Sequence, residues 1–216
     1  MQDNFVEINP KAAADRALAL DPQLAEAWTS VAMYRALYEW NASSALEAFE
    51  RALALNPNNS TAHHWFALVL SAHGDREGAV GALEKAASLD PLSTIIRGNL
   101  GQALAHLGRH DEAVKHLHTV IDLRPKWGPG YIWLGRAWAA AGRWDEAVTA
   151  FETAVALEPS AAGLAHLARA YAKSGRLDDG RRIELRMRST QDRYVSPYYL
   201  ALAAWSLGNP DRAIVE

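Results

Sequence analysis

The feature that most constrains the fold of this chain is a pattern that returns about every 34 residues. Leu-x-Pro triplets are spaced so that successive prolines lie 35, 34, 34 and 34 residues apart, and these prolines are Pro22, Pro57, Pro91, Pro125 and Pro159. Five glycines keep nearly the same spacing: Gly74, Gly108, Gly142, Gly175 and Gly208. A repeat of this length indicates a solenoid, in which each unit buries its apolar face against its neighbours.

The segment 128–159 predicts two helices within one repeat. Tyr131, Leu134 and Trp138 recur at intervals of three and four, which is typical of one helical face. Gly142 ends this helix, because glycine readily takes the left-handed conformation that reverses the chain. The apolar residues that continue after this turn predict a second helix packed against the first.

The second helix of this repeat has its own start and stop signals. Asp145 and Glu146 lie at its beginning, where carboxylates meet the positive end of the helix dipole, and Pro159 ends it. Gly135 and Ala147 have almost no side chain and let two antiparallel helices approach closely. We therefore interpret the regularly spaced small residues as helix–helix contact points.

This unit resembles a tetratricopeptide repeat. The eight key places of that family, in order Trp, Leu, Gly, Tyr, Ala, Phe, Ala and Pro, are filled here by Tyr131, Leu134, Gly135, Trp138, Ala147, Phe151, Ala154 and Pro159. The match recurs in frame over roughly residues 10–216. The resemblance implies an all-α fold, a right-handed α-solenoid of stacked antiparallel helix pairs.

We expect a single solenoid domain over residues 1–216. Its units are predicted at 10–24 (partial), 25–59, 60–93, 94–127, 128–160, 161–193 (degenerate) and 194–216 (truncated). In the first full unit Tyr38–Asn41 replace the turn glycine, and Asn41 or Ser43 is predicted to cap the second helix. In the degenerate unit Gly180 stands where alanine is expected, so its second helix is expected to pack less tightly.

Composition excludes several classes of partner. The net charge is −3 and there are no cysteines, which gives no basis for nucleic-acid binding, disulfides or thiolate metal sites. No apolar run approaches the roughly 20 residues that a membrane helix requires, and residues 1–10 lack the apolar stretch of a signal peptide. We expect a cytoplasmic protein without a membrane partner.

The candidate catalytic and metal-binding residues are better explained by the repeat. Acidic pairs at 111–112, 145–146 and 178–179 share one repeat position, which favours helix starts over acid–base catalysis. His106 and His110 lie on either side of Gly108 and do not share a helical face, so we expect no metal site. Nucleotide-binding and zinc-protease motifs are absent. We predict a non-enzyme without a cofactor.

Stacked helix pairs offer a concave groove, and we interpret the chain as a scaffold that binds a peptide or protein segment there. Residues 38–59 and 193–213 resemble repeat regions attached to bacterial winged-helix regulators and other signalling proteins. This resemblance implies a fragment of a larger bacterial signalling or regulatory protein. The alternative is an accessory region of an enzyme or transcription regulator whose catalytic or DNA-binding domain is not in this chain.

The resemblance implies groove positions, which carry over to His64, Trp65, Asn99, Gln102, His106, Trp133, Arg136, His166, Arg169 and Lys173. Family members that grip chaperone tails use a lysine and an asparagine where this chain has Thr29 and Met33, so that clamp is incomplete. Arg136 and Arg169 occupy equivalent places about 10 Å apart, from the usual helix spacing, and predict a partner with acidic residues. The alternative is that both arginines pair with neighbouring carboxylates of this chain.

The C-terminal edge generates a first prediction. The last unit stops at Glu216, which leaves Leu200, Ala204 and Ala213 without the polar cap that normally ends a solenoid. We expect this edge to be frayed or covered end to end by another copy of the chain. Small-angle scattering of a strict monomer, together with strong amide-exchange protection from Tyr198 to Ala213, would contradict both outcomes.

Overall fold

The computed structural model describes residues 10–189 and 195–209, which form twelve α-helices and no β-strand. In chain order the helices are α1 (Pro10–Leu20), α2 (Ala25–Leu37), α3 (Ala42–Leu55), α4 (Ser60–His73), α5 (Arg76–Leu89), α6 (Thr94–His106), α7 (His110–Leu123), α8 (Gly128–Ala140), α9 (Trp144–Leu157), α10 (Ala161–Lys173), α11 (Leu177–Ser189) and α12 (Pro197–Ser206). The all-α prediction is confirmed. Ala213, in the truncated unit predicted at 194–216, lies outside the described residues.

The helices form hairpins within two compact parts of the chain, each larger than a repeat unit. We call them unit 1 (Met1–Ile96) and unit 2 (Arg97–Glu216). In unit 1, α2 packs on α3 and α4 packs on α5; in unit 2, α8 packs on α9 and α10 packs on α11. Successive hairpins also touch, through α3 with α4 and through α9 with α10. The helices that open the hairpins begin at residues 25, 60, 94, 128 and 161, the same residues at which the predicted repeat units begin.

The turns inside the hairpins use a left-handed residue. Gly142, with φ of 74°, follows α8, and the other four turn glycines also have positive φ. The first hairpin reaches the same geometry without glycine, because Trp40 takes φ of 51°. Asn41 follows it and accepts a hydrogen bond from the Ser44 amide at 3.0 Å, which confirms the predicted cap.

Ion pairs within the first turn explain the acidic pairs of unit 2. The Arg109 guanidinium donates two hydrogen bonds of 2.7 Å to the Glu112 carboxylate at the start of α7. Arg143 pairs with Glu146 at the start of α9, and α11 begins with the equivalent contact between an arginine and an aspartate three residues later. A side-chain hydrogen bond from its arginine lowers the pKa of each acceptor carboxyl, so these groups are ionised at neutral pH. They mark helix starts, as predicted.

Small residues set the distance between paired helices. A Cβ on Gly135 would lie 2.6 Å from the ring of Phe151, so α8 and α9 can approach this closely only with glycine at that position. Helix α11 packs less extensively on α10 than α9 packs on α8, as expected for the degenerate unit, but the cause is not a gap at Gly180. A Cβ there would lie 2.7 Å from the Leu207 side chain and 3.1 Å from the Ala168 carbonyl oxygen, so glycine permits a close contact.

The buried residues are mostly alanine, with one phenylalanine at the centre of each unit's core. Phe49 in α3 and Phe151 in α9 are almost completely buried and contact the helices on either side. Across residues 10–189 and 195–209, no helix has both the length and the apolar character needed to cross a bilayer.

The packing of Gly135 generates a second prediction, with Gly81 as its matched control. Gly135→Ala should destabilise the protein by about 1 to 3 kcal/mol, because the new methyl group overlaps the Phe151 ring. Gly81→Ala, in α5, should stabilise it by about 0.5 to 1 kcal/mol, because nothing lies within 4 Å of the new Cβ and alanine favours helix. Urea unfolding of the two variants measures both effects, and a shift in the same direction for both would contradict the interpretation.

Candidate functional site

One cavity in unit 2 brings together four of the residues predicted from the sequence. It has a volume of about 210 Å³, is partly open to solvent, and includes residues from the C-terminal ends of α6 and α8. Its lining consists of His106 from α6, Arg136, Ala139 and Ala140 from α8, Trp144 and Phe151 from α9, and His166 and Arg169 from α10. We call it the arginine cavity.

The aromatic core of the hairpin positions one wall of the arginine cavity. Phe151 lies against Gly135 on one side, and the imidazole of His166 stacks on its ring with centroids 5.4 Å apart and planes 13° apart. The stacked ring holds the histidine at the edge of the core, where it faces the cavity. A core position of the repeat therefore supports a polar residue of the site.

The two arginines of the cavity have no carboxylate partner in the part of the chain that the structure describes. Both are half-buried. The Arg169 guanidinium lies 5.7 Å from the centroid of the Trp144 ring, an arrangement that attracts a cation without neutralising its charge. The alternative that Arg136 and Arg169 pair with neighbouring carboxylates is not observed among these residues.

The electrostatics of the cavity keep His166 neutral. Burial lowers the pKa of His166 to about 4, and the positive charges of Arg136 and Arg169 add to this effect. At neutral pH the imidazole carries no charge and can donate one hydrogen bond. His106 lies on the same lining, at the last residue of α6.

Three predicted groove residues of unit 2 are engaged in packing or in other polar contacts. The Gln102 side chain donates a 3.0 Å hydrogen bond to the Trp133 carbonyl oxygen, which ties α6 to α8. The Trp133 ring lies directly over Gly98 and makes an edge contact with Trp127, with centroids 5.0 Å apart. Asn99 also has an interaction partner. None of the three lines the arginine cavity, and neither does the exposed Lys173.

The remaining predicted residues, His64 and Trp65, belong to unit 1. Their rings lie 5.8 Å apart, and burial lowers the pKa of His64. Trp65 lines a separate apolar cavity of about 360 Å³ together with Met33 and Trp40. Met33, at a position of the chaperone-tail clamp, therefore faces an apolar surface.

The sequence analysis missed the apolar part of the arginine cavity. The sequence pattern indicated that Ala139 and Ala140 are ordinary helix residues and that Phe151 is a core residue, yet all three line the cavity. Trp144 was the available signal, because α9 begins with a large indole ring, whereas α3, α5, α7 and α11 begin with Ala42, Arg76, His110 and Leu177. Its ring both lines the cavity and lies close to Arg169.

In the described ranges 10–189 and 195–209, the other charged clusters carry no comparable site. The arginines of α11 are mostly paired, for example Arg181 with Asp178 at 3.0 Å and Arg188 with Glu184 at 3.0 Å. Among the described residues, no three His, Asp or Glu side chains are grouped so as to hold a metal ion. The arrangement that remains is a half-buried, positively charged cavity with an apolar wall.

The comparisons with known proteins agree with this architecture. Models of the tetratricopeptide repeat match residues 64–126, 129–161 and 161–183, which together cover more than half of the chain. The chain belongs to the tetratricopeptide repeat (TPR) family. No curated protein matches it significantly.

Solved TPR structures share the fold at low sequence identity. A tetratricopeptide repeat protein from Parabacteroides merdae is 14% identical with a TM-score of 0.79, over 95% of this chain and 82% of that one. PilW, a type IV pilus biogenesis factor, is 20% identical with a TM-score of 0.75, over 88% and 86%. YrrB, described as a TPR protein with an unusual peptide-binding site, is 17% identical with a TM-score of 0.67, over 95% and 97%.

The low pKa of His166 generates a third prediction, on stability. Because the folded-state pKa of about 4 lies below the ordinary value of 6.5, the unfolded chain binds the proton more tightly. The free energy of unfolding should therefore fall as the pH drops from about 6.5 towards 4. His166→Phe keeps an aromatic ring on Phe151 and removes this titration.

Urea unfolding at about pH 7.5 and pH 5 measures the effect. The wild type should lose about 1 to 2 kcal/mol more than His166→Phe between the two values. The other histidines are identical in the two proteins, so their contributions cancel in the comparison. Equal losses in the two proteins would show that His166 is not held neutral by the fold.

Proposed function

We propose that this TPR chain is a non-catalytic protein-interaction scaffold that binds an acidic segment of a partner protein in the arginine cavity. One observation carries the proposal: Arg136 and Arg169 line the same cavity, and neither pairs with a carboxylate among the described residues. Such a segment supplies the carboxylates that the cavity itself lacks.

The contrast with the chain's other arginines strengthens this proposal. Arg109, Arg143 and Arg176 each pair with a carboxylate three residues later. Arg136 and Arg169 are half-buried, where an arginine usually finds a partner. A guanidinium fork matches a carboxylate with two parallel hydrogen bonds, and a charged hydrogen bond contributes about 1.5 to 3 kcal/mol.

The dimensions of the cavity limit what it binds. A volume of about 210 Å³ suits one or two side chains and excludes a folded domain. The methyl groups of Ala139 and Ala140 and the ring of Trp144 form the apolar part of its lining. The methylene groups of a glutamate, or an apolar neighbour in the same segment, would pack against this part.

The comparisons support the scaffold class of this proposal. Repeat proteins of this kind present continuous binding surfaces, and YrrB is described as having a peptide-binding site. The likeness of residues 38–59 to bacterial regulator repeats supports a place in a bacterial signalling or regulatory protein in the cytoplasm. End-to-end association of copies is a separate proposal, supported by the exposed rings of Tyr198 and Trp205 in α12 rather than by Ala204, which is buried.

A charge-reversal pair generates the fourth prediction. The probe is the peptide acetyl-Ala-Glu-Leu-Glu-Ala-amide, compared with its glutamine counterpart by calorimetry at low ionic strength. Arg136→Glu with Arg169→Glu should weaken binding of the glutamate peptide at least about 100-fold, because two charged contacts become repulsive. The glutamine peptide should bind weakly to every protein.

The matched control is Arg16→Glu with Arg51→Glu, which makes the same charge change on exposed helical residues of unit 1. It should leave affinity within about twofold of the wild type. Circular dichroism checks that each variant is folded. Unchanged affinity in a folded Arg136/Arg169 variant would overturn the assignment of the cavity.

A further inference from the structure

We infer that the arginine cavity takes up a carboxylate together with a proton, and that His166 holds this proton. The inference rests on the proposed function, because it concerns the same cavity and its acidic ligand. It adds a regulation that the proposed function does not contain: binding strengthens as the pH falls.

The shared lining leads us to expect contact between a bound anion and the imidazole. Arg136, His166 and Arg169 all line a volume of about 210 Å³. A carboxylate that bridges the two guanidinium groups in so small a space also reaches the imidazole. The stack of His166 on Phe151, with planes 13° apart, fixes the ring in this position.

Without a ligand, both cations that act on His166 in the described part of the chain oppose its protonation. Arg136 comes from α8, Arg169 from α10 itself, and His106 from α6. Helix α9 contributes only the rings of Phe151 and Trp144 to the lining. Burial and the two arginines together hold the pKa of His166 at about 4 in this state.

A bound carboxylate reverses this balance. Its negative charge offsets one of the two cations and attracts the imidazolium directly. An opposite charge at such a distance shifts a pKa by about 1 to 3, so the pKa of His166 should rise to between about 5 and 7. At a pH between the pKa of His166 in the free protein and its pKa in the complex, the complex carries a proton that the free protein lacks.

Linkage sets the sign and size of the effect on affinity. Above the bound-state pKa the imidazole is neutral in both states, and affinity does not depend on its protonation. As the pH falls below that value, affinity rises by up to tenfold per pH unit, until the free protein is protonated as well. A glutamate ligand stays mostly ionised above about pH 5, which leaves the range of about 5 to 7 for measurement.

The experiment measures proton uptake directly on the full chain. Calorimetric titration with acetyl-Ala-Glu-Leu-Glu-Ala-amide, in two buffers of different ionisation enthalpy, gives the number of protons bound per peptide. We expect an uptake of about half a proton or more at pH 5.5 and almost none at pH 7.5. The affinity should be about four- to tenfold higher at the lower pH, which corresponds to a bound-state pKa of His166 between about 6 and 6.5.

Two variants assign the proton. His166→Gln keeps a hydrogen-bond donor but cannot titrate, so it should bind the peptide with equal affinity at both pH values and without proton uptake. His118→Gln, at an exposed position of α7 outside the cavity, should behave as the wild type. Circular dichroism and thermal unfolding verify that both variants are folded.

The outcomes separate the inference from the proposed function. Binding of the peptide without proton uptake would overturn the inference and leave the proposed function intact. Uptake that persists in His166→Gln but disappears in His106→Gln would also overturn it, because the proton would belong to the other histidine. Absence of binding at both pH values would overturn the proposed function and the inference together.

Discussion

The close contact between Gly135 and Phe151 is the constraint on which the hairpin and the arginine cavity both depend. A side chain at Gly135 would overlap the Phe151 ring, so the glycine sets how near α8 lies to α9. The ring is then buried on one side and carries the His166 imidazole on the other. The packing of the core thereby determines where a titratable group of the candidate site lies.

A recurring hydrogen bond explains why the first key place of the repeat varies in residue type. The Tyr131 hydroxyl donates to the Pro125 carbonyl oxygen at 3.1 Å, and the Trp28 indole donates to the equivalent Pro22 oxygen at 2.9 Å. His63 makes the same contact with the carbonyl of its own loop proline. Each of these three side chains is a flat ring with a polar atom that reaches back six residues, so different rings make the same contact, whereas Arg97 and Leu164 hold the equivalent place in two other units.

The charges of the chain serve two different purposes. Arginines at helix starts pair with carboxylates three residues later, which joins a helix terminus to its first turn at exposed positions that contribute little to stability. Arg136 and Arg169 occupy helix interiors, Arg169 beside the Trp144 ring, and both lack such partners among the described residues. This difference, rather than the number of arginines, distinguishes a candidate binding site from a solvated surface.

The sequence by itself determined the helices and their turns. Proline and glycine act through local backbone geometry, so the start of α8 and the turn at Gly142 follow from short stretches of residues. The cap at Asn41 is equally local, because its side chain bonds a backbone amide three residues later. The periodic apolar pattern likewise determined the helical class and the close contact at Gly135.

Only the tertiary structure decided which polar residues remain available for binding. The repeat pattern placed Gln102, Trp133 and Arg136 on similar faces, yet the first two are used to join α6 and α8 while Arg136 lines a cavity. Long side chains with several rotamers choose among neighbours that lie more than 30 residues away in the chain, and no local pattern encodes that choice. The contribution of Trp144 to the cavity, and the neutral state of His166, depend on such contacts for the same reason.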